Sequence, residues 1–509
     1  MNNGKICVSV CAETSDEFIE NINRATEIAD VVELRFDCLE KNELQDALLK
    51  VKNLEISKFL LATFRPQEQG GKRELTFTER VKFWESFFWN NNLENLYADF
   101  EFDLKSIFNL KSTKSIFSFH DFAGVPDNLA TIYNTGKTLT NADILKIAVQ
   151  ADDISDSLAV WNLLEKSKTD KKQIVPIAMG EAGKWTRILG LAHGAPLTYA
   201  ALDAGNETAP GQITARDMID VYRVKKLNEQ TEVYGIVGNP VAHSLSPFMH
   251  NAAFRFHKLN CVYIPFEVKN LDEFVKRFAR PETREIEWNL KGFSVTIPHK
   301  QAIIKYLDSS DETARKIGAV NTVKIDNGKL CGFNTDAAGF IEPLKNAYGD
   351  LRRVKVAVLG NGGAARAAIY ALKNEVAIVT IFARNPEKAE SLAEEFGIKL
   401  KELARTENRK PKTDFNDFDI VVNATPLGMK GALENETPAI APQIERVKLV
   451  YDLIYNPFET KFIKEAGKAN VPTIGGLAML VAQGMKQFEI WTGKDAPMQE
   501  MSRAALERV

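Results

Sequence analysis

Val354-Lys-Val-Ala-Val-Leu359 runs straight into Gly360-Asn361-Gly362-Gly363-Ala364-Ala365-Arg366, and the order of these two pieces decides the fold. An apolar, β-rich run, a glycine turn and the helix-forming stretch Ala367–Asn374 make a strand–turn–helix unit, followed by a second strand at Ala377–Phe382. Glycines at the turn let backbone N–H groups and the helix N-terminus approach a pyrophosphate, and Ala365 at the sixth position still permits close helix packing. The runs Ile420–Asn423 and Leu449–Leu453 continue a parallel sheet, so a dinucleotide-binding α/β domain is expected over residues 341–474. An acidic residue after the second strand would hold a ribose hydroxyl of NAD. The chain instead has Ile381-Phe-Ala-Arg384-Asn385-Pro-Glu-Lys388, whose cations suit a 2'-phosphate, so the expected cofactor is NADP(H).

Toward the N-terminus, residues 233–340 read as a separate α/β domain, completed by the helix-rich stretch 475–509. A polar, charged segment at 223–232 reads as a linker. Before it, short apolar runs recur at Ile6–Val10, Val31–Leu34, Phe59–Thr63, Leu96–Glu101, Ser115–Phe119, Ile144–Val149, Ile174–Met179 and Leu197–Ala200. They are separated by stretches long enough for helices, such as Asp16–Ile28 and Phe77–Trp89. Eight such βα units within residues 1–222 fit a (β/α)8 barrel. Polar residues fall at the strand ends, which a barrel gathers at one mouth: Glu33, Arg35, Arg65, His120, Lys146 and Arg187.

A chain of 509 residues exceeds one hydrophobic core, and its formal net charge of -3 supplies no basic field for nucleic acid or an anionic bilayer. Small molecules are the expected partners of a monomer or small homo-oligomer. Cys7, Cys11, Cys38, Cys261 and Cys331 are irregularly spaced and read as free thiols rather than a disulfide framework or a zinc site; no metal is expected. The start lacks a signal-peptide pattern and no run of about 18 apolar residues occurs, which makes the cytoplasm the default expectation.

Two lysines stand in opposite chemical settings. Lys146 lies in the apolar run Asp143-Ile-Leu-Lys-Ile-Ala148, which suits imine formation; Lys300 closes the polar run Phe293-Ser-Val-Thr-Ile-Pro-His-Lys300, which suits proton transfer. For Lys146 alone, a side chain snorkelling from a strand is the plainer reading. Its companions change that. Glu33-Leu-Arg35, Arg65-Pro-Gln-Glu-Gln-Gly-Gly71, Ser118-Phe-His-Asp121, Lys146-Ile-Ala148, Met179-Gly180 with Arg187, and Pro196-Leu-Thr-Tyr199 with Ala209-Pro-Gly-Gln212 together resemble type I 3-dehydroquinate dehydratases. The resemblance implies a Schiff base between Lys146 and the ketone of 3-dehydroquinate, with His120 moving the adjacent proton and Glu33 orienting it. Arg35, Arg65, Arg187, Thr208 and Gln212 would hold the substrate. That site needs no cofactor. The chain departs from the family at Gln69, where a glutamate usually precedes the glycines; either the site works with an amide, or Glu68 has moved inward.

Residues 233 to about 493 resemble shikimate dehydrogenases through Gly238-Asn-Pro-Val-Ala-His-Ser244-Leu-Ser246-Pro, Gly292-Phe-Ser-Val-Thr296-Ile-Pro-His-Lys300, Gly318-Ala-Val-Asn321-Thr322 and Gly332-Phe-Asn-Thr335-Asp336. The resemblance makes Lys300 and Asp336 the pair at the reacting oxygen. It assigns Ser244, Ser246, Thr296, Asn321, Thr335, Tyr455 and Gln483 to 3-dehydroshikimate or shikimate, and adds Thr425 and Gly475 to the nucleotide residues. The departure here is Ala383, where NADP-preferring members carry asparagine before the arginine. Product of the first site would be substrate of the second. A quinate dehydrogenase is the rival within the same class, weakened by the paired Ser244 and Ser246; a scaffold with decayed pockets is the non-enzyme rival.

Overall fold

The computed structural model describes residues 2–90, 95–105, 114–139, 142–404 and 411–509. The chain divides by its contacts into two units, Met1–His243 with Asn260–Leu290 and Ser244–Leu259 with Lys291–Val509.

In the first unit eight parallel strands follow one another as the repeated runs predict: β1 (Lys5–Val10), β2 (Val31–Arg35), β3 (Phe59–Thr63), β4 (Leu96–Glu101), β5 (Lys114–Asp121), β6 (Ile144–Gln150), β7 (Gln173–Met179) and β8 (Leu197–Ala201). The hydrogen-bonded order β7-β6-β5-β4-β3-β2-β1-β8 gives the barrel-like sheet of a (β/α)8 fold. Alternation along each strand sends one set of side chains inward. Near the strand starts that set is apolar and packs as a cluster of Cys7, Val31, Leu61, Ile116, Ile144, Val175, Leu197 and Tyr199 among others. Near the strand ends it turns polar, which is where the chemistry is placed. The unit also holds the parallel pair β9 (Glu232–Gly238) and β10 (Cys261–Glu267).

Two of the cysteines correct the free-thiol expectation: Cys11 and Cys38 form a disulfide. They lie 27 residues apart in sequence, but each follows one of two neighbouring parallel strands, β1 and β2, and that pairing brings them together. Cys7, Cys261 and Cys331 are free.

The second unit contains β11 (Asn289–Val295), β12 (Ser309–Ser310), β13 (Thr322–Asp326) and β14 (Lys329–Phe333), with β13 antiparallel to both β11 and β14. Its other sheet comprises β15 (Lys355–Leu359), β16 (Ile378–Ala383), β17 (Lys399–Glu402), β18 (Ile420–Asn423), β19 (Leu449–Asp452) and β20 (Thr473–Ile474), all parallel in the order β17-β16-β15-β18-β19-β20. The order reverses direction between β15 and β18, and the crevice outside the carboxyl ends of such a pair is where open α/β sheets take ligands. Helices Asp336–Tyr348 and Gly476–Thr492 pack on each other within this unit. Gly339 makes that contact possible, since a Cβ there would lie 2.5 Å from the Cβ of Gln483 and 2.7 Å from its backbone nitrogen.

Candidate functional sites

At the barrel's polar end, Lys146 is buried within β6, with 3% of its surface exposed. Its ammonium sits 3.9 Å from the centroid of the Tyr199 ring and donates to Asp99 Oδ2 at 3.2 Å. Burial and the neighbouring Arg65 guanidinium draw the Lys146 pKa down, while Asp99 and Glu33 oppose them. Arg65 donates to the same Asp99 oxygen at 2.6 Å, and Glu101, two residues along β4, lies 3.6 Å from Arg65 Nε. Burial raises the Glu101 carboxyl to about 7, with Asp99 adding to the rise and Arg65 and Arg80 resisting it.

Arg35 donates to Asp37 through two bonds of 2.9 and 2.7 Å and to the Gly70 carbonyl at 3.0 Å. Arg187 is buried and donates to the Pro210 carbonyl; burial lowers its pKa to about 10. Thr208 and Gln212 bond to one another on the loop after β8, where the Thr208 backbone donates to Gln212 Oε1 at 2.8 Å. The chain therefore folds three guanidinium groups, a lysine and a histidine into one end of one sheet, as the motif order predicts.

His120 is the next-to-last residue of β5 and is driven well below its ordinary pKa by burial and by the positive charges of Arg65, Lys146, Arg35 and Arg187, so its imidazole is neutral. Glu33 is not bonded to it. Ser9 and Thr63 hydroxyls donate to the two Glu33 oxygens, and burial's upward push on that carboxyl is outweighed by Lys146, Arg35, Arg65 and the Ser9 bond, which lower it to about 2. His120 Nδ1 is buried without a hydrogen-bond partner. What fixes the histidine's backbone is Gln69, whose side-chain oxygen accepts from the His120 N–H at 3.0 Å. Glu68 is exposed, so of the two expectations for this loop the amide is realised. Gly71 lets the loop turn back on itself, because a Cβ there would lie 2.0 Å from the Arg65 carbonyl oxygen.

Sequence reading passed over Ser9, Thr63, Asp99, Glu101 and Tyr199. The signal existed for two of them. Asp99 and Glu101 alternate at the end of an otherwise apolar strand, a spacing that sends both acids to the inward face.

In the second unit Lys300 Nζ donates to Asp336 Oδ2 at 2.6 Å. Asn321 Nδ2 donates to the other Asp336 oxygen at 2.8 Å and to Thr335 Oγ1 at 2.9 Å, and the Thr335 N–H returns a bond to Asn321 Oδ1. Gln483 Oε1 accepts at 3.4 Å from both Asn321 and Thr335. Asp336 is the first residue of helix Asp336–Tyr348. The structure thus joins Lys300, Asp336, Asn321, Thr335 and Gln483 in one network. Ser244 Oγ accepts from the Ser246 backbone at 3.2 Å, while Ser246 opens the helix Ser246–Phe256, which packs on Gly476–Thr492. Thr296 and Tyr455 are half-buried and outside this network; burial raises the Tyr455 phenol.

The glycine turn after β15 fits a dinucleotide. Gly360 has φ of 109°, and a Cβ there would lie 2.8 Å from the Ala424 carbonyl oxygen, so the turn depends on glycine where β15 meets β18. Gly362 caps the helix Gly363–Asn374 without a side-chain bond, and a Cβ on it would meet nothing within 4 Å, which leaves the helix N-terminus open to an anion. Ala364 is half-buried and Ala365 is fully buried in that helix. Asn361 donates to the Lys388 carbonyl at 3.2 Å and so ties the turn to the segment after β16. Arg384, Asn385 and Lys388 are exposed there. Thr425 donates to Asn423 Oδ1 at 2.6 Å, and Gly475 is the cap of helix Gly476–Thr492. Lys300 lies next to the turn, since a Cβ on Gly363 would be 3.7 Å from its Cδ.

Residues 6–229 match the type I 3-dehydroquinase family. Residues 236–323 match the shikimate dehydrogenase substrate binding domain, 342–450 the shikimate / quinate 5-dehydrogenase family and 476–506 the shikimate 5'-dehydrogenase C-terminal domain. A chloroplastic bifunctional 3-dehydroquinate dehydratase/shikimate dehydrogenase of Arabidopsis thaliana is 35% identical over 527 residues, covering 97% of this chain and 83% of that protein. The NADP(+) shikimate dehydrogenase of Methanocaldococcus jannaschii is 42% identical over 285 residues, 56% of this chain and 99% of that protein. A crystal structure of a shikimate dehydrogenase in complex with NADP+ is 40% identical with a TM-score of 0.49, covering 56% of this chain and 97% of that one.

Proposed function

The chain belongs to the family of bifunctional 3-dehydroquinate dehydratase/shikimate dehydrogenases, and from that premise we propose how its two sites carry out consecutive reactions. The first dehydrates 3-dehydroquinate to 3-dehydroshikimate; the second reduces that product to shikimate with NADPH. We assign residues 1–222 to the first reaction, 233–340 with 475–509 to binding of the second substrate, and 341–474 to the nucleotide.

In the barrel, Lys146 attacks the substrate ketone and forms an imine, whose positive nitrogen acidifies the neighbouring carbon. The neutral His120 takes that proton and then protonates the departing hydroxyl, a double duty that suits a group with no charge to lose. Arg35, Arg65 and Arg187 hold the carboxylate and hydroxyls, aided by Thr208 and Gln212. Glu33 acts on the electrostatics of Lys146 rather than by a bond to His120.

In the dehydrogenase, NADPH supplies the hydride when bound. Lys300 stabilises and protonates the ketone oxygen as charge develops on it, and Asp336 keeps that ammonium in place. Asn321, Thr335 and Gln483, with Ser244, Ser246, Thr296 and Tyr455, satisfy the ring's carboxylate and hydroxyls. A site built this way discriminates against analogues that lack one. The Gly360–Ala365 turn, Thr425 and Gly475 hold the dinucleotide, and Arg384, Asn385 and Lys388 hold its 2'-phosphate.

The observation that carries the reading is the buried Lys146 amine wedged between Asp99 and the Tyr199 ring, beside the Arg65 guanidinium. Borohydride reduction with 3-dehydroquinate present should add one substrate-derived mass at Lys146 by peptide mapping, and NADPH should be oxidised only when 3-dehydroshikimate is supplied or made. Adduct at another lysine, or full activity with no adduct, rejects the imine. Among the described residues no helix is long and apolar enough to cross a membrane. A cytoplasmic monomer or small homo-oligomer acting on small molecules, with neither nucleic acid nor membrane as partner, completes the proposal.

A further inference from the structure

Imine formation begins with a problem of protons. The amine must shed one before it can attack, and buried Lys146 has few places to send it. The carboxylates that act on it are Asp99 and Glu33. Each Glu33 oxygen already accepts a hydroxyl, one from Ser9 and the other from Thr63. His120 makes no bond to Lys146 and is needed at the carbon.

Asp99 remains. It is fully buried, and its Oδ2 accepts from both Lys146 at 3.2 Å and Arg65 at 2.6 Å. Its second oxygen, Oδ1, is buried with no donor at all. A carboxylate oxygen buried without a donor is an open acceptor for one more hydrogen. Resting on the imine reading above, we propose that Asp99 is the proton acceptor that frees the Lys146 amine for attack on the ketone.

The atoms balance without an outside reagent. An N–H bond of the Lys146 ammonium breaks and its proton moves to the Asp99 carboxylate. The lone pair so released forms the N–C bond, while the carbonyl π pair moves onto oxygen. Of the ammonium's three hydrogens one stays on the iminium and two leave with the ketone oxygen as water. Asp99 carries the first of these and ends as the carboxylate it began. Arg65 remains bonded to Asp99 Oδ2 throughout, so the acid is held in place in either protonation state. The tyrosine face completes the device: Tyr199 offers the ammonium a π surface but no base, since its phenol is pushed far up by burial.

The test reads imine formation alone, by rapid-quench borohydride trapping of the Lys146 adduct. Above the Glu101 transition at about 7, an internal acceptor makes the trapping rate of the unaltered enzyme flat up to pH of about 9, because the amine passes its proton within the site and not to hydroxide. Asp99→Asn keeps the size and can still accept from Arg65, but cannot take the proton. Its trapping rate should fall by about 100-fold near neutrality. It should then climb about tenfold per pH unit as hydroxide replaces the missing base. A role limited to holding Arg65 or the strand would instead give a loss equal at every pH. Such a pH-independent loss, or trapping at the original rate, overturns the proposal. Should Asp99→Asn fail to fold, the unaltered enzyme decides: a trapping rate that rises tenfold per pH unit means solvent, not Asp99, is the acceptor. If the unaltered enzyme traps no adduct at Lys146, the imine reading itself falls, a result distinct from these.

Discussion

Replacing Gly339 by alanine tests whether the dehydrogenase network depends on how closely two helices approach. Gly339 is one turn beyond Asp336 on helix Asp336–Tyr348, and it faces Gln483 on helix Gly476–Thr492. The new Cβ would stand 2.5 Å from the Gln483 Cβ, 2.7 Å from its backbone nitrogen and 2.9 Å from its Cα. Ordinary contact between such atoms is about 3.5–4.0 Å, so the helices must part by about 1 Å. No rotamer change relieves the clash, because the obstructing atoms are backbone and Cβ. Overpacking of this kind costs about 1–3 kcal/mol of stability. The effect on chemistry is sharper. Gln483 sits 3.4 Å from Asn321 and Thr335, already at the limit of a hydrogen bond, and the shift breaks those contacts while disturbing the Lys300–Asp336 pair. A displacement of about 1 Å at reacting groups lowers turnover by about 100-fold. Shikimate oxidation with NADP+ and a thermal melt should report this loss, while dehydration of 3-dehydroquinate by the same preparation stays within about twofold. Full dehydrogenase turnover in a well-folded Gly339→Ala enzyme would show that the helix contact does not set the geometry of the site.

Gln69→Glu should preserve the bond to the His120 N–H but add a negative charge beside an imidazole whose pKa is held down by four cations; the acid limb of the dehydration pH profile should therefore move to higher pH, and an unmoved limb rejects the electrostatic account. Arg384→Ala should weaken NADPH binding by about tenfold to a hundredfold, the equivalent of about 1.5–3 kcal/mol, and leave NADH binding nearly unchanged. Equal weakening of both would assign the arginine to the adenine or the fold. Glu101 tests linkage: its carboxyl is raised from 4.5 to about 7, so the folded state binds the proton more tightly than the unfolded one. Its stabilising contribution is complete below pH of about 4.5 and is lost as pH rises through about 7. Chemical denaturation of the barrel should show a fall of roughly 3 kcal/mol across that window, which Glu101→Gln should abolish.

The strands were legible because buried parallel strands are apolar on both faces, and runs such as Phe59–Thr63 and Leu96–Glu101 coincide with β3 and β4 end to end. Strand-end chemistry followed from the same pattern, since a barrel converts scattered positions into one mouth. Other features were not legible. The Cys11–Cys38 bond depends on neighbouring strands that sequence spacing does not reveal. The orientation attributed to Glu33 depended on side-chain bonding, and Ser9 and Thr63, unremarkable in sequence, hold that carboxylate. Asp99 did leave a signal in its alternation with Glu101 along β4, but a run judged for its apolar character discounts the acid that the strand delivers inward. Short strands such as β17 and β20 carry too few residues to stand out.

Helix Asp336–Tyr348 has a mechanical consequence. Its first residue holds the Lys300 ammonium, and its middle is anchored among the strands of the parallel sheet β15–β20, where Phe340 stacks on Tyr451 at 5.1 Å and packs in a cluster with Val356 and Leu449. Thirteen residues make a rod about 20 Å long. If the nucleotide sheet swings with this rod about its Asp336 end, a rotation of about 10° carries the far end through about 3 Å but moves the first turn by less than about 1 Å. The Lys300–Asp336 pair thus lies at the fulcrum of the lever, and such a swing would displace the far end of the helix while leaving that ion pair nearly where it stands.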